Sequence, residues 1–207
     1  MKRSGGSLKR SRGNRPLKQR FLIYCEGAVT EKEYLDGYRL LLRSPNIQIK
    51  FGRTHGVPSE LVEDALSHQA RAPRSAEDKY EPYDQVWCVM DVEAPKQHPN
   101  LEATLAKARK NQIKCAISNP CFEIWLILHF ENYGKNLSSR QACLKLQAHK
   151  CGYGKDSKHI DFEKFTPLYE VAKARASKLR GDSGPFSIGS NPSSSVYQLV
   201  DELLSHA

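Results

Sequence analysis

Nowhere do the 207 residues contain the run of about 20 apolar side chains that a bilayer span needs, or, near the start, the apolar core of roughly 7 to 15 residues that marks a secretory signal. No membrane association is expected, and the chain reads as cytoplasmic. No CxxC pair occurs. Cys25, Cys88, Cys115, Cys121, Cys143 and Cys151 are scattered, three of them inside apolar runs, as buried thiols of a reducing compartment would be. Cys143, His149 and Cys151 come nearest to a zinc pattern, but no fourth ligand follows at zinc-finger spacing. A GxxxxGK[ST] phosphate loop is also missing, so ATP hydrolysis by this chain alone is not expected. Internal repeats are absent, and so is any acidic residue among the first twenty (MKRSGGSLKRSRGNRPLKQR).

Those twenty residues hold eight of the basic side chains: Lys2, Arg3, Lys9, Arg10, Arg12, Arg15, Lys18 and Arg20. The whole chain carries a formal charge of +9, so residues 21–207 are together nearly neutral. A Gly-, Ser- and Arg-rich run cannot bury enough apolar surface to fold alone, and residues 1–20 read as a disordered arm whose eight cations contact nucleic-acid phosphates. A merely solubilising terminus is the alternative. A transit peptide is disfavoured because no apolar residue there recurs at helical spacing. Residues 21–207, in a chain that is 39% hydrophobic and 27% charged, fit one globular domain whose part from about 132 onwards is helical.

The apolar run 21–25 (FLIYC), stopped by Glu26-Gly27, reads as a strand buried on both faces. Thr30 with Glu33 resembles a capping box ahead of a helix over 31–43. Alternation at Ile47, Ile49 and Phe51 predicts an edge strand. Ser59 would cap a second helix, and 73–84 reads as a polar linker. Residues 85–90 (QVWCVM) form another buried strand, followed by a helix at 100–110 and a strand at 113–117. Asn119-Pro120 would start an apolar helix to 130, with further helices at 138–148, 166–180 (Thr166 as cap) and 194–205, the last two joined by 181–193. The alternation predicts a doubly wound α/β domain, a mostly parallel sheet with helices on both faces and a C-terminal helical extension.

In such a sheet, ligands bind where loops leave the carboxyl ends of the strands. Glu26 leaves strand one there, and Asp91 and Glu93 leave the strand at 85–90. Two residues apart in an extended segment, the latter two would point the same way, with Glu26 approaching from the neighbouring strand. Converging carboxylates select a hard divalent cation, Mg²⁺ or Mn²⁺, able to act on a phosphodiester. From spacing alone, exposed loop acids explain them slightly better, since acids at strand ends are common. His129, on an apolar helix, reads as a satisfied buried histidine. Lys155, in the loop CGYGKDSK, could reach a phosphate or simply be solvated.

Cys25-Glu26-Gly27 with Thr30-Glu31 and Tyr34, Trp87 to Glu93, the block Ser118-Asn-Pro-Cys-Phe-Glu-Ile-Trp125 with His129-Phe130, and Asn191-Pro192-Ser193 before Val196-Tyr-Gln-Leu-Val200 together resemble the RloB family across nearly the whole chain. That family is similar to TOPRIM proteins, with a Rossmann-like sheet, a Glu after the first strand and an Asp-x-Asp pair after a later one. The resemblance implies a metal-dependent nuclease, cleaving RNA (tRNA included) or DNA as the effector of an antiphage, abortive-infection system beside an AAA/ABC-type ATPase partner, and it admits a homo-oligomer. It places catalytic and Mg²⁺- or Mn²⁺-binding roles on Glu26, Asp91 and Glu93, with Glu31 and Glu123 as further candidate ligands. Glu93 stands where the pair usually has Asp. A non-catalytic nucleic-acid- or ATPase-binding module with a degraded site is therefore the alternative.

Overall fold

The computed structural model describes residues 18–181, 184 and 186–207; Lys2, Arg3, Lys9, Arg10, Arg12 and Arg15 lie outside the described residues. Four parallel strands, β1 (Gln19–Cys25), β2 (Ile47–Phe51), β3 (Gln85–Asp91) and β4 (Lys114–Asn119), lie in the order β2-β1-β3-β4, and a two-residue strand, β5 (Ser193–Ser194), pairs antiparallel with β4 at the far edge. The α-helices are α1 (Thr30–Leu42), α2 (Pro58–Arg71), α3 (Leu101–Lys110), α4 (Glu123–Phe130), α5 (Ser139–Gln147), α6 (Tyr169–Arg180) and α7 (Val196–Ser205).

Because strand side chains alternate between faces, β1 sends Phe21, Ile23 and Cys25 into one core and Leu22 and Tyr24 into the other. The first core is closed by α1, α4, α6 and α7, the second by α2 and α3. The expected α/β class, with its parallel sheet covered on both sides and its C-terminal helices, is what the chain forms. Helix α4 explains the apolar run after Pro120: every residue from Glu123 to His129 is buried, so it needs no polar face.

Several local expectations are corrected. Arg20 does not belong to the arm. It sits inside β1, where its guanidinium donates to the carbonyls of Asp78 (2.9 Å), Pro82 (2.8 Å) and Glu81 and lies over the Tyr83 ring, 4.6 Å from its centroid. Residues 73–84 are not a bare linker either. Two 3-10 turns, 72–74 and 76–78, bury Asp78, which accepts from Tyr83 Oη, Lys50 Nζ (2.7 Å) and His68 Nε2 (3.2 Å), while Tyr24 Oη donates to His68 Nδ1 (3.0 Å). Burial alone would raise the Asp78 pKa; the hydrogen bonds from Lys50, Tyr83 and His68 hold it well below the usual carboxylate range.

Thr30 and Glu33 do not form a capping box. Val29 occupies the N-cap position, Thr30 Oγ1 donates to Lys158 O (2.8 Å), and the Glu33 carboxylate accepts from Ile160 N (2.9 Å) and His159. Long-range partners have taken both side chains. Ser59 is likewise not a cap, since α2 opens on Pro58 after Val57. Asn119 ends β4 instead of starting a helix and donates from Nδ2 to Gly189 O (2.8 Å). Thr166 opens a 3-10 turn that precedes α6, and the segment joining α6 to α7 contains β5.

Candidate metal centre

The strand order brings the end of β1 directly beside the end of β3. Glu26, one residue past β1, keeps its N–H on Val89 O (3.1 Å), so its carboxylate projects over the β3 terminus. There Oε2 accepts from Asp91 N (3.0 Å) and Oε1 from His98 Nε2 (2.7 Å). Residues 65 positions apart along the chain therefore meet at hydrogen-bond distance. Gly27 makes the turn out of β1 tight. A Cβ there would collide with the Glu31 carboxylate, which folds back from α1 to accept from Gly27 N (2.7 Å).

Beyond Asp91 the chain does not stay extended as the sequence suggested. Val92 N still pairs with Ser118 O (2.9 Å), but Glu93 adopts the left-handed region, φ 68°, with its N–H on Pro120 O (2.8 Å). A non-glycine residue there carries backbone strain of order 1 to 3 kcal/mol. Glu93 is then held by Ser139 Oγ, which donates to Oε2. On the far side Glu123, opening α4, accepts from Tyr153 Oη at 2.6 Å.

Glu26, Glu31, Asp91, Glu93 and Glu123 line one cleft of about 470 Å³. A larger groove, about 1290 Å³, runs along α1 past Leu40, Leu41 and Phe162, but carboxylate chemistry and not volume marks the smaller one. Asp91 is only 8% exposed, and its Oδ1 is buried without a hydrogen-bond partner among the described residues. Burial pushes the Asp91 pKa well up, and the charges of Glu31, Glu26, Glu123 and Glu93 push it further. Glu26 is raised by burial too, against the lowering effect of the Asp91 N–H and His98; Glu31 is raised by burial and by Glu123.

Carboxylates under mutual repulsion with an orphaned oxygen at their centre fit a hard cation, which supplies the missing partner and the missing positive charge. Glu26, Glu93 and His98 offer ligand atoms within 4.8 Å of one another. His98 Nε2 also donates to Glu26 and so orients that carboxylate, while Asp91, lining the same cleft, is not part of the converging group.

All five acids named from the sequence are thus brought to one cleft. Lys18 is exposed at the edge of the described residues, and Lys155 is exposed on its loop. Four participants carry no clear sequence signature: His98, Ser139, Tyr153 and Lys158. His98 alone left a trace, lying five residues after Glu93 between Pro95 and Pro99. Cys143 and Cys151 are free thiols and His149 stacks on Phe130; they form no metal-ligand group among the described residues. His129 is a satisfied core residue, its Nδ1 donating to Trp125 O (3.0 Å) and its Nε2 accepting from Tyr34 Oη (3.1 Å).

The family model described as RloB-like protein matches residues 21–203. No curated protein and no solved structure matches the chain. Among the described residues no helix is long and apolar enough to cross a membrane.

Proposed function

Because the chain belongs to the RloB-like family, we propose that it is a metal-dependent TOPRIM-type nuclease, cleaving phosphodiester bonds of RNA or DNA as the effector of an antiphage system with a separate ATPase. The observation that carries this reading is the buried Asp91 Oδ1, without a hydrogen-bond partner among the described residues and under the charge of four further carboxylates. Asp91 is the principal ligand, Glu93 the second, and Glu26 a ligand or the general base. When bound, Mg²⁺ or Mn²⁺ supplies Lewis-acid polarisation of a phosphoryl oxygen and offsets the developing negative charge. The protein's part is orientation. Asp91 N–H and His98 fix both oxygens of Glu26, and Ser139 fixes Glu93. Burial raises the proton affinity of Glu26, which suits it to take a proton from an attacking water.

Purified protein, with and without a candidate ATPase partner, is incubated with total RNA and plasmid DNA plus Mn²⁺. Cleavage is expected from the wild type and a loss of more than about 100-fold in Glu26→Gln and Asp91→Asn, beyond the 10- to 100-fold typical of residues that only orient a metal ligand. Full activity in both variants would remove the mechanism. The competing reading, a non-catalytic binding module, is favoured by Glu93 in place of Asp and by its engagement with Ser139. It expects no cleavage in the presence of Mn²⁺.

A further inference from the structure

Among the described residues five carboxylates line the cleft, and one cation does: Lys158. Its place there is secured by the start of α1. Thr30 Oγ1 donates to its carbonyl (2.8 Å), and two residues on, Glu33 accepts from Ile160 N (2.9 Å) and from the His159 side chain. Both clamping residues belong to the first turn of α1, which starts four residues after Glu26. The loop bearing Lys158 is therefore fixed to the same turn that leaves the metal-site strand, although 128 positions of sequence separate Thr30 from Lys158. The clamp holds Lys158 itself by its backbone and does not engage its ammonium.

Among the described residues that ammonium makes no ion pair within 4.0 Å, even with a surplus of acids around it. Lys50, Lys114, Lys145 and Lys173, by contrast, each reach a carboxylate at 2.7 to 3.0 Å. A cleft that held only carboxylates and a metal ion would repel the flanking phosphates of a polyanionic substrate. A flexible ammonium at its wall counters that repulsion and supplies charge-assisted hydrogen bonds to a phosphate oxygen.

We propose that Lys158 is the phosphate-binding residue of the cleft, contacting the substrate phosphodiester beside the carboxylate-bound cation. The inference rests on the nuclease reading for its substrate class, and its test does not depend on cleavage. Thymidine 3′,5′-bisphosphate serves as probe and is titrated calorimetrically, with saturating Mn²⁺, into the wild type, Lys158→Gln and Lys158→Arg. Mn²⁺ alone is titrated in parallel.

Lys158→Gln is expected to weaken bisphosphate binding by about 10- to 100-fold, the loss of one charge-assisted hydrogen bond. Mn²⁺ affinity should be retained or tightened, because a positive neighbour has gone, and Lys158→Arg should recover most of the bisphosphate affinity. Equal binding by wild type and Lys158→Gln overturns the proposal, as does a wild type that binds Mn²⁺ but no bisphosphate. A protein that binds bisphosphate through Lys158 yet cleaves no nucleic acid would leave Lys158 in place and overturn the nuclease reading alone. The exposed side chain is not expected to alter folding, which an unchanged Tm would verify.

Discussion

At the scale of single residues, Asp91 shows how a site can oppose the stability of the fold that carries it. Its Oδ1 is buried without a partner among the described residues, and four other acids raise its pKa beyond the effect of burial. In the metal-free protein ionisation of Asp91 is destabilising, so Asp91→Asn, nearly isosteric and unable to ionise, should raise Tm by the equivalent of about 1 to 3 kcal/mol. Mn²⁺ should raise the wild-type Tm and leave that of Asp91→Asn unmoved. Thermal melts of both proteins, with Mn²⁺ and with chelator, check the pair of outcomes. A variant less stable than wild type without metal would mean that Asp91 has an unrecognised structural partner. The residue types of this site were legible in the sequence, because acids directly after buried strands are conspicuous. Its supporting partners were not: Ser139, Tyr153 and Lys158 are ordinary loop and helix residues until the fold brings them close.

Helix α4 illustrates what elements contribute. Its apolar circumference made burial readable, and His129 near its end is neutral by construction: Nδ1 donates to a carbonyl of its own helix and Nε2 accepts from Tyr34 on α1. Burial lowers its pKa to about 4, with Arg175, whose guanidinium meets the carbonyls of Leu128 and His129, acting in the same direction. The unfolded chain takes up this proton near pH 6.5 and the folded chain only near 4. The contribution is therefore complete above about pH 6.5 and declines as pH falls towards 4, by on the order of 3 kcal/mol in all. Denaturant melts of wild type and His129→Gln between about pH 7 and 4 should show the decline in the first and a shallower one in the second; parallel profiles would place the titration elsewhere. Helix starts were the least legible feature of the elements. Thr30 and Glu33 satisfy a capping pattern, yet residues 158–160 compete successfully for both side chains, and no local rule can see a partner more than 120 positions away.

Across the whole molecule, charge is divided. The chain carries +9, six of its basic residues lie among residues 1–17, and five acids line a single cleft. If the early cations meet nucleic acid, deleting residues 1–17 should weaken binding and flatten the plot of log affinity against log salt by about 0.7 to 0.9 for each phosphate no longer neutralised, up to six phosphates. Binding isotherms at several salt concentrations measure that slope, and an unchanged slope would make the segment a solubiliser. Arg20 adjoins those cations in the sequence, but β1 has already begun there and Arg20 clamps the 3-10 turns against it. The amino-acid sequence by itself determined the strand-and-helix alternation, the two-sided burial of β1 and β3, and the acidic residues at their ends, since these depend on hydrophobic period and strand termini, which are local properties. Only the tertiary structure decided which acid lies against which, that His98 holds Glu26, that Glu93 turns left-handed onto Ser139, and that Lys158 alone brings positive charge to the cleft among the described residues. Strand order and loop docking set those distances, and both are fixed by packing between segments far apart along the chain.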